Sequence, residues 1–373
     1  MWKAVILAVV SIALASFEVA AASDTHNAAP AATSDAGKPA AMHDLLEYAR
    51  GQNTTGFLVM QDGKTLVEES WPTPKSRGFD IFVYGKSSDG QLLEDVASEQ
   101  KSFVAVLLGI AIDKGLIDVN QPVSQYVGSG WTKASPAQEA QIRLLDVLTM
   151  SSGLKDTFAY EAPPGTRFLY NTAVYAITKK VLTAASKLPL DEITRRWLTE
   201  PLGMKNTAWR QRPAALAGVG NNTGLVTTPR DIAIFGEMIL AGGVAHNGTR
   251  VISASSLKAL FARSCCNPAY GRLWWLNGGD YVFGPDSQRQ GPLIPAAPPD
   301  LVAAFGYLDR RLYVVPSLKL IVVRNGAAPT DKGFDQALWL RLMRVLPPPR
   351  ATHADSDAHF ARDIRREITA VTS

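Results

Sequence analysis

The chain has 373 residues, 46% of them apolar, with 38 basic side chains against 34 acidic ones. That is enough apolar material for one large domain, or two intimate subdomains, with a buried core. The near balance of charge leaves no basic stripe and so no electrostatic case for nucleic acid as a partner.

The chain opens with Lys3, an apolar run from Ala4 to Phe17 and a small-x-small stretch at Ala20 to Ser23. This is the pattern of a signal peptide, residues 1–22, cut after Ala22. The run is short for a membrane span, so an uncleaved anchor is the lesser reading. No second long apolar run follows. The expectation is a periplasmic or secreted protein with no membrane span after signal cleavage.

Residues 23–41, rich in Ala, Ser and Pro, read as a flexible leader. Order is expected to begin near Met42 with a short helix over "HDLLEYAR". Two apolar runs then flank Asp62-Gly63, a β-hairpin signal. "FDIFVYG" and "QLLEDVA" read as two further extended pieces. From Ser98 to about Arg263 helical spacing dominates, and "GVGNNTG" at Gly218 to Gly224 reads as a turn. In "TTPRDIAIFGEMILAGG", Thr228 caps a helix, Pro229 fits its first position and Asp231 lies in its first turn. Cys265 and Cys266 are adjacent, which excludes a stapled scaffold and a four-cysteine zinc site. They read as packing residues, with a vicinal disulfide as the lesser alternative. Strand-like pieces return in "YGRLWWLNG", "DYVFGP" and "RLYVVPSLKLIVVRNG", and a closing helix, "FDQALWLRLMRVL", ends before "PPPR". Trp274 and Trp275 read as sheet packing, the alternative being that they line a cleft.

Strands at both ends around a helical block predict an α+β fold. Its mixed, largely antiparallel sheet is built from the N- and C-terminal strands and flanked by helices, with an inserted helical lobe over about 98–265. The folded domain is expected over 42–345, with a polar tail and one weak helix over 346–373.

Among catalytic patterns, no G-x-S-x-G and no H-E-x-x-H occurs. A Ser-His-Asp triad would have to use His43 or His246, neither in a promising setting. Ser-x-x-Lys occurs three times, at Ser98/Lys101, Ser152/Lys155 and Ser255/Lys258. Only Ser98 follows an extended segment and opens a helix, "FVAVLLGIAI", apolar on every side. Residues three apart share a helix face, so Lys101 reaches the Ser98 hydroxyl. A serine needs a base to become a nucleophile at neutral pH. Burial in an apolar helix shifts a lysine by up to about 3–5 pKa units, enough to make it one. Glu99 and Gln100 are left to other faces. Tyr170, in the Pro-Gly-led loop "PPGTRFLYNTAVYAI", reads by itself as a packing tyrosine.

Taken in order, "SEQKSF", "LLDVLTMSSGL", "PGTRFLYNTAVYAI", "EPLGMKNTAW", "GLVTTPRDIAIFG" and "LYVVPSLKLIVVRNG" resemble the serine β-lactamase and penicillin-binding superfamily. The resemblance covers about residues 45–345. The branch is that of the class C β-lactamases with their esterase, D-aminopeptidase and nylon-oligomer hydrolase relatives. It implies acylation of Ser98, Lys101 as its base partner and Tyr170 as proton relay, with no metal and no cofactor. Two motifs depart from the family. Its Tyr-x-Asn is here Tyr170-Asn171-Thr172, so Thr172 stands in the amide position and Asn171 is a second candidate for the substrate side. Its Lys- or His-Thr/Ser-Gly is here Ala304-Phe305-Gly306, without cation or hydroxyl. Gly306 still lets substrate lie close, and the Tyr307 amide is expected to pair with that of Ser98 as an oxyanion hole. The expectation is an exported serine hydrolase forming a Ser98 acyl-enzyme on small-molecule esters, amides or lactams. The alternatives are a class C-like β-lactamase or D-amino-acid peptidase, and an inactive binding protein retaining the fold. Oligomeric state is not legible.

Overall fold

The computed structural model describes residues 38–74, 78–217, 221–283 and 288–346. The predicted signal peptide, nearly all of the leader, the tail beyond Leu346 and the first three residues of "GVGNNTG" lie outside them.

The first helix, α1 (Lys38–Gly51), starts four residues before the expected Met42. Its extra turn is useful for packing, because Ala41 is buried along with Leu45 and Ala49. The hairpin at Asp62-Gly63 joins β1 (Thr54–Gln61) to β2 (Lys64–Ser70). Both turn residues have positive φ, 50° at Asp62 and 70° at Gly63, the conformation a tight hairpin needs. At the other end of the chain, β10 (Val302–Gly306), β11 (Arg310–Val315) and β12 (Leu320–Gly326) form a meander. β12 pairs antiparallel with β1, Leu58 opposite Val323, which brings the two ends of the chain together. A two-residue strand, β7 (Trp275–Leu276), closes the far edge, and the sheet order is β2-β1-β12-β11-β10-β7.

Every residue of β11 and β12 is buried, so both faces of the sheet are covered. One cover is α4 (Pro229–Leu240): a Cβ on its Gly236 would lie 3.0 Å from Ile321 and 3.1 Å from Leu312. The next residue of β11, Tyr313, points to the opposite face. There its ring meets Trp339 of α6 (Phe334–Val345), centroids 5.5 Å apart. Pro229 does occupy the first turn of α4, and Thr228 Oγ1 accepts from the Asp231 amide.

The extended pieces after β2 do not join this sheet. β3 (Val83–Lys86) and β4 (Leu92–Asp95) pair with each other, and β4 pairs with β6 (Thr223–Thr227), itself paired with β5 (Ala208–Gln211). The result is a separate sheet of order β3-β4-β6-β5, two of whose strands come from inside the helical block, and β8 (Tyr281–Phe283) and β9 (Gln288–Gln290) pair as a ribbon of their own. Strands of four and five residues within helical spacing carry too short a period to read as strands.

The apolar helix follows β4 as α2 (Gln100–Asp113), with all residues from Gln100 to Ala111 buried. It packs between α3 (Ile177–Ser186), α5 (Ala254–Leu260) and β10. Gly109 permits the approach to the segment before α5, since a Cβ there would lie 2.5 Å from Ile252 Cδ1. Cys265 corrects the packing expectation, being exposed, whereas the half-buried Cys266 does pack against the core; both thiols are free. Their sulfurs lie 3.1 Å apart, each against the Gly165 carbonyl.

Candidate active site

β4 ends in a turn that cannot continue as a strand. Val96 still donates to the Leu225 carbonyl of β6 at 3.0 Å, but Ala97 has φ +52°. A left-handed alanine is strained by roughly 1 kcal/mol or more. Asp95 holds it there, its Oδ1 accepting from the Ala97 amide at 2.8 Å. A short 3-10 turn, Ala97–Glu99, then leads into α2 and leaves Ser98 half-buried at its start. Ser98 does not cap α2, whose N-cap position makes no side-chain hydrogen bond.

Lys101, one turn on, is 1% exposed. Its Nζ lies 2.7 Å from Ser98 Oγ and 3.2 Å from Thr172 Oγ1. The rings of Tyr170 and Tyr175 flank the amine, each with its centroid 4.8 Å away. Among the described residues no carboxylate pairs with it. Burial pushes its pKa well below the usual lysine value, and the positive charges of Arg212 and Lys179 push the same way. Burial and like charge thus weaken this amine's hold on its proton, 2.7 Å from a hydroxyl.

Tyr170 reaches the same point from the helical block. Its loop is pinned by backbone bonds from Gly165 to Ser151 (2.8 Å) and from Leu169 to Met150 (2.7 Å). The Tyr170 hydroxyl lies near Ser98, and burial raises its pKa to about 12 against the opposing effects of Ser98 and of Arg311. It is a phenol, not a phenolate, at neutral pH. Its ring stacks on Trp275 (5.7 Å), which stacks in turn on Phe305 (5.8 Å). Trp274 and Trp275 are both buried core residues, as the sheet-packing reading expects, with Trp274 stacked on Phe235.

Asn171 departs from its expected place on the substrate side. Its Oδ1 accepts from the Val174 amide (3.0 Å) and its Nδ2 donates to the Leu154 carbonyl (3.0 Å), so both ends of the amide are used within the protein. It caps the short helix Thr172–Tyr175 and thereby turns Thr172 toward Lys101. Thr172 faces the amine as a neighbouring hydroxyl.

Across from Ser98, β10 runs up to the turn. A Cβ on Gly306 would lie 2.2 Å from the Val96 carbonyl, so only glycine lets the strand abut the turn. That contact brings the half-buried Tyr307 to the segment holding Ser98. In the neighbouring strand Arg311 is paired with Phe305, and its guanidinium lies 4.2 Å from that ring's centroid. Arg311 is itself taken up by Asp335, through Nε at 2.9 Å and Nη2 at 3.1 Å, and by Asp309. It offers no free positive charge to a ligand.

The other two Ser-x-x-Lys pairs do not form such a site. Lys155 pairs loosely with Glu161 at 3.9 Å, and Ser255 sits in the first turn of α5, which Ser253 caps. His43 and His246 are both exposed. Glu99 and Gln100 do point away from Ser98, but inward: both are fully buried, and both Glu99 carboxyl oxygens lack a hydrogen-bond partner. Sequence reasoning missed Tyr175, Lys179, Arg212 and Asp95. Asp95 had a local signal, an acidic residue three before the serine. The others approach from elements whose placement no spacing reveals.

Comparisons with known proteins agree with this fold. The profile of the Beta-lactamase family matches residues 40–307. A protein of Salmonella paratyphi A named "Putative D-alanyl-D-alanine carboxypeptidase" is 20% identical over 316 residues, covering 64% of this chain and 72% of its own. A crystal structure described as a "putative beta-lactamase" from Bacteroides dorei superposes with a TM-score of 0.63 at 14% identity, covering 83% of this chain and 97% of that one. A "Putative 6-aminohexanoate-dimer hydrolase" from Bacillus anthracis gives 0.58 at 16% identity, with 81% of each chain covered. At these identities the two structures are alike in fold.

Proposed function

The chain belongs to the beta-lactamase family, a family of hydrolases, and from that premise we propose that it is an exported serine hydrolase acting through a Ser98 acyl-enzyme on small, uncharged esters or amides. The observation that carries the reading is the 2.7 Å approach of the buried, uncompensated Lys101 amine to Ser98 Oγ. In this mechanism Ser98 Oγ attacks the substrate carbonyl carbon while its proton passes to the neutral Nζ of Lys101. The carbonyl oxygen becomes an oxyanion, held by the backbone N–H groups of Ser98 and Tyr307. The C–O or C–N bond to the leaving group then breaks. The leaving group takes a proton through the Tyr170 hydroxyl, which a pKa near 12 keeps protonated and able to donate. Water follows the reverse path: it loses a proton through the same pair, attacks the acyl carbon and frees Ser98.

The preference for uncharged substrates rests on Ala304-Phe305-Gly306, in place of the family's Lys- or His-Thr/Ser-Gly. Ala304 and Phe305 stand where family members carry a cation and a hydroxyl, and the guanidinium beside Phe305, that of Arg311, is held by Asp335 and Asp309. The stacked row Tyr170, Trp275, Phe305 suits an apolar acyl or alcohol group instead. Export rests on residues 1–22. The name carried by the Salmonella relatives supports a second reading, a carboxypeptidase acting on D-alanyl-D-alanine ends, whose substrate bears a carboxylate.

Labelling by a fluorophosphonate probe, in the wild type and in Ser98→Ala, tests the nucleophile; equal labelling of both overturns it. Turnover of short p-nitrophenyl esters against D-alanyl-D-alanine peptides and a chromogenic cephalosporin tests the substrate. Preference for either carboxylate-bearing substrate replaces the first reading with the second or with a β-lactamase.

A further inference from the structure

Close to Ser98 and Lys101 lies a buried ionic cluster that no step above uses. Asp95 and Arg212 form a bidentate pair, Nε to Oδ2 at 2.7 Å and Nη2 to Oδ1 at 2.9 Å, with side chains 0% and 6% exposed. Arg212 Nη1 donates to the Asn221 carbonyl at 3.1 Å. The Asn221 side chain in turn accepts from Lys179 Nζ at 2.8 Å. The backbone is shaped around the carboxylate, for a Cβ on Gly224 would lie 2.0 Å from Asp95 Oδ2. Asp95 Oδ1 also accepts from the Ala97 amide at 2.8 Å, at the left-handed residue immediately before Ser98. The Tyr175 ring lies between the two amines, 4.8 Å from Lys101 Nζ and 5.9 Å from Lys179 Nζ.

We propose that Asp95 and Arg212 are positioning residues for the catalytic pair: Asp95 locks the strained turn that aims Ser98, while Arg212 locks Asp95 and keeps a permanent positive charge near Lys101. A buried ion pair is weak evidence for stability, because desolvation offsets most of its attraction. Here one carboxylate oxygen serves both the guanidinium and the strained amide, which ties the pair to the geometry of Ser98. The groups facing Lys101 are Tyr170 and Tyr175, whose rings flank it, and beyond them Lys179 and the paired Arg212. A guanidinium is permanently charged, and Lys179 is not: burial and the Arg212 charge lower its pKa to about 6. Arg212 is therefore the constant source of the field that disfavours protonation of Lys101.

The inference rests on the reading of Ser98 and Lys101 above. Its test is the pH profile of kcat/KM, with kcat and KM measured separately on a p-nitrophenyl ester, for the wild type, Arg212→Gln, Arg212→Lys and Asp95→Asn. Arg212→Gln is expected to lower kcat by about 10²-fold with KM little changed, the size of effect a misplaced reacting group produces. Losing the positive charge also makes Lys101 easier to protonate, so the rising limb of the profile moves to higher pH. Arg212→Lys keeps a charge but not the bidentate geometry, and lowers kcat while leaving the limb nearly in place. Asp95→Asn leaves Arg212 uncompensated and moves the limb to lower pH. These opposite displacements are a signature that a merely structural role would not give. Folded Arg212→Gln and Asp95→Asn proteins with wild-type kcat and pH profile overturn the inference. If neither variant folds, Arg212→Lys decides by kcat alone, and an unchanged kcat overturns it. A wild-type protein that neither turns over esters nor labels at Ser98 overturns instead the reading beneath it.

Discussion

Glu99, the residue after Ser98, is expected to make the stability of this protein depend on pH in an unusual sense. Its side chain is 0% exposed and neither carboxyl oxygen has a hydrogen-bond partner. Arg310 and Arg311 lie near enough to favour the carboxylate, yet the loss of hydration outweighs them, and the pKa rises from 4.5 to about 8. At neutral pH the folded chain keeps this proton while the unfolded chain has released it. A rise of that size corresponds to about 5 kcal/mol. The contribution is fully present below about pH 4.5, falls as pH rises and is gone above about pH 8. Glu99→Met removes both the proton and the unpartnered oxygens. Urea unfolding at several pH values between 5 and 8.5 is expected to show the variant gaining on the wild type as pH rises, by several kcal/mol over the range. Because the difference between the two proteins is followed, carboxyls that titrate elsewhere cancel. A difference independent of pH would mean that Glu99 is ionised in the folded protein, and would refute the reasoning.

Lys101→Met is expected to lower the rate of fluorophosphonate labelling by about 10²–10⁴-fold, the loss typical of a general base. Because the folded-state pKa of Lys101 is depressed, its neutral form costs no charge burial at high pH, and stability is lost as pH falls through that pKa. Thermal melts should therefore show the methionine variant to be the more stable at low pH. Tyr170→Phe is expected to slow turnover of alkyl esters by about 10²-fold or more, and that of p-nitrophenyl esters much less, because nitrophenolate leaves without a proton. Parallel losses on both would deny Tyr170 the part of proton donor. Gly306→Ala places a Cβ 2.2 Å from the Val96 carbonyl and must push β10 from the Ser98 turn. Calorimetry should show a loss of roughly 1–3 kcal/mol together with lower kcat. Unchanged values of both would show that the contact is not needed.

The local order of this chain was legible from its residues. Asp62-Gly63 marked the first hairpin, "RLYVVPSLKLIVVRNG" marked β11 and β12, and the relation of Ser98 to Lys101 followed from helical spacing. Each is settled by residues within a few positions of one another, where backbone geometry leaves few alternatives. The α+β class followed too, because strands at both ends of a chain find their partners in each other. The separation of β3 and β4 into a second sheet was not legible, since their partners β5 and β6 are too short to show a period. Nor was the turning of Asn171 inward to cap a helix, which depends on the Leu154 carbonyl being within reach. The surroundings of Lys101 were decided entirely by tertiary structure. Tyr175 comes from one helix, Lys179 from the next, and Arg212 from the segment after β5. A spacing of three residues can put an amine beside a hydroxyl, but the field that opposes its protonation comes from groups more than seventy positions away in the sequence, and only the folded chain brings them near.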